Sequence, residues 1–192
     1  MLFTSCENGQ VNWASGIKQI LSMYGFYDIW VNQGTPNVNQ FLYNFEIRIR
    51  DCERQNWKAD ITRAPKLYYY CMFKTQFETE LYLFTNLPWK VKKQYAKYRL
   101  SNHNLEVERG RHTGLQREDR LCSFCGRKTN LNTVECEFHI LLECTLYDDL
   151  RSDSTNILFD KTLFNFVNIM SCKENKDIND IAWFIWKCFA IR

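Results

Sequence analysis

The sequence predicts a mainly α-helical domain with a small cysteine–histidine knuckle embedded in it. Three observations carry this expectation. Apolar residues recur at three- and four-residue spacing in several separate stretches, which puts them on one face of a helix. Polar turns containing Gly, Pro or Asn divide those stretches. One cluster, between residues 121 and 151, holds cysteines and a histidine at ligand-like spacing. Hydrophobic residues are 45% of the 192-residue chain and aromatic residues 16%, enough to bury a core for one domain, or a core with a small appendage.

The elements follow in chain order. Trp13, Ile17, Ile20, Leu21 and Tyr24 fall at helical spacing, and Gly25 is a natural stop. In "GTPN", Thr35 is placed to cap a second helix and Pro36 to occupy its first position. Val38, Phe41, Leu42, Phe45, Ile49 and Cys52 then make one apolar stripe about four turns long. A third helix is expected over Lys66 to Phe77, and "LPWKVKKQYAKYRL" opens a fourth with Trp89, Tyr95 and Tyr98 among lysines. Residues 101–120, rich in Asn, Arg and Gly, are expected to be a loop or loosely ordered arm. After the cysteine cluster, "LFDKTLFNFVNIM" and "NDIAWFIWKCFAIR" predict two further apolar helices. The domain layout is therefore a helical region over 1–120 with a basic arm at 88–120, the knuckle at 121–151, and C-terminal helices over 152–192 packing on the core.

Composition narrows the setting. No stretch of 18 uncharged apolar residues occurs, so no membrane span or membrane partner is expected. The start, "MLFTSCENGQVNWASG", lacks the basic and apolar regions of a secretory signal. Nine cysteines, an odd number scattered outside one cluster, do not resemble a disulfide framework. An intracellular, reducing setting, nucleus or cytoplasm, is expected. The net charge is +3, but it is unevenly spread. Residues 88–128 contain eleven Lys or Arg against four acids, an excess of +7 that leaves −4 for the remainder. Such a face can meet phosphate, and its other reading is a solvated helix and loop. The expected phosphate-contacting residues are Lys90, Lys92, Lys93, Lys97, Arg99, Arg109 and Arg111, with Trp89, Tyr95 and Tyr98 able to stack on bases. The run Tyr68–Tyr70 could also stack, but consecutive helical residues face different ways, so packing is expected for at least two of them.

Cys122, Cys125, His139 and Cys144 are spaced C-x2-C-x13-H-x4-C. Three thiolates and one imidazole are a common tetrahedral zinc set, so Zn2+ is the expected cofactor. A C-x-x-C turn points both sulfurs one way and leaves backbone N–H groups to bond them, and Gly126 suits a positive φ after the second cysteine. His139 and Cys144, five apart, do not stack on an ideal helix, and a helix end that tightens or unwinds is needed to bring both to one metal. Cys136, three residues before His139, is an alternative ligand in place of Cys144. The rival readings are a redox C-x-x-C pair and ordinary core thiols.

"RLSNHNLEVERGRH" (Arg99–His112), "CSFC" and "VECEFHILLECTLYDDLR" (Val134–Arg151) together resemble the zinc-binding region downstream of the reverse-transcriptase domain in non-LTR (LINE-type) retrotransposon proteins. "NWASGIKQILSMYGFYDIW" and "FNFVNIM" look like the flanks of such proteins, so the resemblance covers most of the chain. It departs at Cys136, where the family usually has Asp, at Ile140, where Phe is frequent, and in a slightly longer "GRKTNLNT" loop. The ligands it implies are again Cys122, Cys125, His139 and Cys144. It also implies a C-terminal portion of a larger polyprotein, here starting at its own Met1.

No enzyme is expected. "LYDDL" superficially resembles a polymerase Y-x-D-D turn but lacks the spacer residue, so Asp148 and Asp149 are read as helix-end charges with Arg151 available to pair. Neither a Gly-rich phosphate loop nor G-x-S-x-G is present. The expected function is a non-catalytic, zinc-binding module that binds RNA or single-stranded DNA in support of reverse transcription. The alternative is a zinc-stabilised structural or protein-interaction module that docks on the reverse-transcriptase domain of the parent polyprotein.

Overall fold

The computed structural model describes residues 13–129, 132–152 and 160–192, and the chain divides into two compact units, Met1–Asp60 and Ile61–Arg192. The described fold is mainly α-helical, with a buried Cys3His cluster set into it. Among the described residues, β structure is limited to one antiparallel bridge, Leu121 to Val134.

In the first unit, α1 (Trp13–Met23) ends as its glycine directs: Gly25 has φ +82°, and the Phe26 N–H donates back to the Leu21 carbonyl at 2.7 Å. A short α2 (Tyr27–Val31) leads to α3 (Val38–Arg63). That helix begins later than "GTPN" suggests. Asn37, not Thr35, caps it, its side-chain oxygen accepting from the Gln40 N–H at 3.0 Å. It also runs for 26 residues, well beyond the expected four turns. The expected apolar stripe packs in part: the Phe26 ring lies 5.6 Å from Phe41 and 5.4 Å from Phe45, and Tyr24 meets Phe45 edge-on. Only Ala14 and Leu21 are fully buried among the described residues of this unit.

The second unit is built around α5 (Trp89–Arg99). The expected helix over Lys66 to Phe77 is broken: a 3-10 turn (Pro65–Leu67) precedes a single turn, α4 (Tyr70–Phe73). A further 3-10 turn spans Leu81–Phe84. Val91, Tyr95 and Tyr98 form the buried face of α5, at helical spacing, and the C-terminal α10 (Asn175–Ile191) packs along that helix. The preceding α9 (Leu163–Met170) is capped by Thr162, which accepts from the Asn165 N–H at 3.1 Å, and packs against α4 through Phe166. Leu158 and Phe159, expected at the start of that helix, lie outside the described residues, as do the first twelve residues and the middle of the 126–133 loop.

Residues 101–120 are not a loose arm. They form α6 (Glu106–His112) and a 3-10 turn (Arg117–Asp119). Acids in the first turn of α6 and bases in its last suit the helix dipole. The stronger reason is tertiary. The Glu106 N–H donates to the Glu135 carboxylate at 2.8 Å, and the Val107 N–H to the Glu135 carbonyl at 3.0 Å, so both groups are satisfied from residue 135. Composition could not show that partner.

Candidate metal centre

Three pieces of chain bring the four candidate ligands together. The bridge comes first: the Cys122 N–H donates to the Thr133 carbonyl at 2.8 Å, and the Glu135 N–H to the Arg120 carbonyl at 2.9 Å. This places Cys122 at the end of a paired strand-like segment. The helix α7 (Ser123–Thr129) begins directly after it and carries Cys125 one turn along. Gly126 belongs to that helix, its N–H donating to the Cys122 carbonyl at 3.0 Å, and it is not among the residues with positive φ. The expected left-handed glycine is therefore corrected: helical geometry after the first cysteine does the turning.

The third piece settles the x4 spacing. His139–Glu143 is a π-helical turn, and the Cys144 N–H donates to the His139 carbonyl, five residues back, at 2.7 Å. One wide turn puts His139 and Cys144 on the same side, which an ideal α-helix would not. Cys144 then leaves the helix in an extended conformation. Arg151 holds this exit. It is 4% exposed, donates to the carbonyls of Ile140 at 3.2 Å and of Cys144, and pairs with Asp148 at 2.7 Å. Asp148 thus has the helix-end role expected of it, within α8 (Asp148–Ser152).

All four donor atoms lie within 4.8 Å of one another and all four residues are buried. Cys125 Sγ is 3.7 Å from Cys144 Sγ, and Cys122 Sγ is 3.9 Å from it. Around a tetrahedral ion with sulfurs at 2.3 Å, neighbouring sulfurs sit about 3.8 Å apart. His139 Nε2 is 3.4 Å from Cys125 Sγ, against about 3.6 Å for the corresponding nitrogen–sulfur edge. The described cysteines are free thiols, with no disulfide between them. The donor set can hold a metal ion. Cys136 stands apart from it. It is buried, its sulfur 3.3 Å from the Tyr69 hydroxyl, and burial pushes its thiol pKa up.

The surroundings fit the same task. Backbone N–H groups of Cys125, Thr145 and Leu146 bond the sulfurs of Cys122, Cys125 and Cys144 respectively. Such bonds favour thiolate over thiol. The hydrogen bond between Cys144 and Cys122 lowers the pKa of Cys122 and raises that of Cys144, so Cys122 is the thiol most ready to ionise. His139 Nδ1 is 3.1 Å from the Glu143 carboxylate. A proton on Nδ1, shared with Glu143, leaves the Nε2 lone pair facing the sulfurs.

The "RLSNHNLEVERGRH" segment turns out to be the frame of this centre. Tyr98 donates through its hydroxyl to the Glu137 carbonyl at 2.5 Å. Ser101 donates to the Glu137 carboxylate, which also meets His103 Nε2 at 2.9 Å, with both side chains of that pair buried. Burial alone would raise the Glu137 pKa, but the bonds from His103 and Ser101 hold it below the usual carboxylate range. Gly110 passes so close to Arg120 that an added Cβ would sit 2.5 Å from Arg120 Cγ. Arg120 in turn donates to the carbonyls of Val107 at 2.7 Å and Leu115 at 2.7 Å. At the other end of the chain, Arg192 pairs with Glu135.

Several of the expected phosphate-contacting residues have partners within the protein, and one of them is buried. Arg99 is corrected outright: it is 7% exposed, donates to the Met170 carbonyl at 2.6 Å and to Glu80 at 2.9 Å, and its guanidinium lies over the Phe73 ring. Tyr95 and Tyr98 are buried at 1% and 0%, so they cannot stack on a base. Arg109 pairs with Glu106 at 2.9 Å and Arg111 with Glu108 at 2.9 Å. Lys90 lies over the Trp186 ring, and Lys92 donates to the Leu83 carbonyl at 3.0 Å. Lys93 and Lys97 make no such bond among the described residues, and with Trp89, 74% exposed, they share one ridge of α5 at four-residue spacing. The ridge borders an apolar groove floored by Leu83, Ala96 and Leu100. In the Tyr68–Tyr70 run, Tyr70 is buried, Tyr69 half-buried and Tyr68 exposed.

Compared with known proteins, the chain matches no family model, no curated protein and no solved structure.

Proposed function

We propose that this protein is a non-catalytic zinc-binding module that binds RNA or single-stranded DNA, of the kind found beside the reverse transcriptase of non-LTR retrotransposons. Zinc is the ion of choice because three thiolates and one imidazole at tetrahedral spacing suit a borderline-soft cation with no geometric demand of its own. Four protein ligands leave no open position for water or substrate, so the ion's role is structural. It holds the turn between α7 and Cys144, and through Glu135 and Glu137 the segment from Tyr98 to His112.

The observation that supports nucleic-acid binding is the ridge Trp89–Lys93–Lys97. An exposed indole offers a face on which any base stacks, and two lysines without a partner among the described residues offer phosphate contacts. The test is titration of the zinc-loaded protein with a single-stranded RNA at two salt concentrations. Affinity should fall steeply with salt, and neutralising Lys93 and Lys97 together (K93Q/K97Q) should reduce the logarithmic slope by up to about 1.4, at 0.7 for each lost contact. Salt-independent binding, or none at low salt, overturns the reading.

A docking module is the second reading, and the first unit favours it. Ten large apolar residues between Trp13 and Ile47 are exposed there, while two described residues are fully buried. A surface of that kind needs a covering partner. On this reading, an apolar partner protein stabilises the first unit and salt leaves the affinity nearly unchanged.

A further inference from the structure

The second unit contains a cavity of about 270 Å³, lined by Pro65, Lys66, Tyr68, Tyr69, Arg117 and the α6 side of the metal frame. Its charges do not balance. Four cations line it, Lys66, Arg111, Arg117 and Arg120, against two carboxylates, Glu108 and Glu137. Both carboxylates are already engaged, Glu108 by Arg111 and Glu137 by Ser101 and His103. Arg120 bonds only backbone carbonyls, which satisfy its N–H groups and leave its charge uncompensated. Arg117 lies over the tyrosine pair, its guanidinium 4.6 Å from the centre of the Tyr68 ring and 5.6 Å from that of Tyr69, with no carboxylate paired to it among the described residues. Lys66 likewise has no carboxylate partner among the described residues.

Three half-buried or partly covered cations facing one space, without an acid of their own, call for an anion. The excess of two positive charges matches a dianion better than a monoanion. Apart from Ser101, the remaining wall is supplied by Pro65, Tyr68, Tyr69 and Val107, and the volume exceeds what a bare oxyanion fills. We infer that this cavity is a binding site for a phosphate monoester carrying a ring or other compact apolar group, with Arg117 and Lys66 taking the phosphoryl oxygens and the tyrosine wall taking the attached group. A phosphodiester bears one charge and would be taken less well, which separates this site from the backbone contacts proposed for Lys93 and Lys97. The monoester could be a free nucleoside monophosphate or the phosphorylated end of a strand, since the recognised chemistry is the same.

The test uses the full-length, metal-loaded protein, with adenosine monophosphate, inorganic phosphate, and an oligonucleotide with and without a 5′-phosphate as probes. Saturable binding of adenosine monophosphate by calorimetry is expected, tighter than that of inorganic phosphate. Binding should strengthen from pH 5.5 to 7.5 as the phosphate takes its second charge, whose pKa is about 6. Arg117→Gln and Lys66→Gln should each weaken it about tenfold or more, the usual scale for one charged hydrogen bond. Neither residue supports a carbonyl or a metal ligand, so both variants should keep their helical signal and metal content; thermal stabilisation by the ligand in the unmutated protein gives a second readout. The K93Q/K97Q variant should bind the monophosphate normally, so loss of RNA binding and loss of this site are told apart. If only the 5′-phosphorylated oligonucleotide binds, the site reads a strand end. If the oligonucleotide without a terminal phosphate competes equally, or if Arg117→Gln changes nothing, the proposal is overturned.

Discussion

Replacing Glu137 with glutamine tests the claim that the segment from Tyr98 to His112 and the metal turn are one structure. The Glu137 carboxylate is buried, with His103 Nε2 at 2.9 Å and the Ser101 hydroxyl as its second donor. The amide of Gln is nearly isosteric, and its oxygen can still face Ser101 and His103, which meet the same carboxylate oxygen, but it carries no charge to strengthen those bonds. Breaking a buried pair by altering one partner costs about 3–5 kcal/mol. For a unit of this size, that corresponds to a fall in Tm of about 10–20 °C. Urea unfolding of the zinc-loaded protein, followed by helical circular dichroism, measures it, and the slope with denaturant should stay unchanged. The pH dependence has a defined sign. The Glu137 pKa is lowered on folding, so its stabilisation is present above the unfolded value of about 4.5 and is lost as pH falls through the lower folded value. The stability gap between the unmutated protein and Glu137→Gln should therefore be full at pH 6–7 and shrink below about pH 4.5. A gap under about 1 kcal/mol at pH 7 would show that the carboxylate is hydrated and that the segment is held by something else.

Three other outcomes are expected. Metal analysis should give one zinc per chain, and its removal should expose the amides of Tyr98–His112 to hydrogen exchange along with those of 121–151; unchanged protection of the former would show the two segments to be independent. Glu143→Ala should weaken metal affinity by about 10–100-fold in a chelator competition, because His139 loses the carboxylate that orients its ring, and an unchanged affinity would remove Glu143 from the centre. Gly110→Ala should cost about 1–3 kcal/mol in denaturant unfolding, since the Arg120 carbon it would strike is held by a guanidinium bonded to two carbonyls, and a neutral result would mean that Arg120 can move aside.

Much of the metal centre was legible because it is written in local spacing. A C-x-x-C and a later His and Cys can converge only within a few turn geometries, so Cys122, Cys125, His139 and Cys144 stand out without coordinates. The helices α1, α5, α9 and α10 were legible for a similar reason, as each carries an apolar stripe of its own. Tertiary structure decided how His139 and Cys144 meet, because a π turn differs from an α turn by one hydrogen bond and leaves no compositional mark. It also decided which basic residues are free. Arg99 and Lys93 look alike in sequence, six residues apart on one helix, yet one faces Glu80 and the Met170 carbonyl and the other faces solvent. The order of residues 101–120 was hidden in the same way. That segment has no apolar stripe, and its structure comes from buried polar bonds to Glu135 and Glu137, about thirty residues further along the chain, which only the folded protein brings within reach.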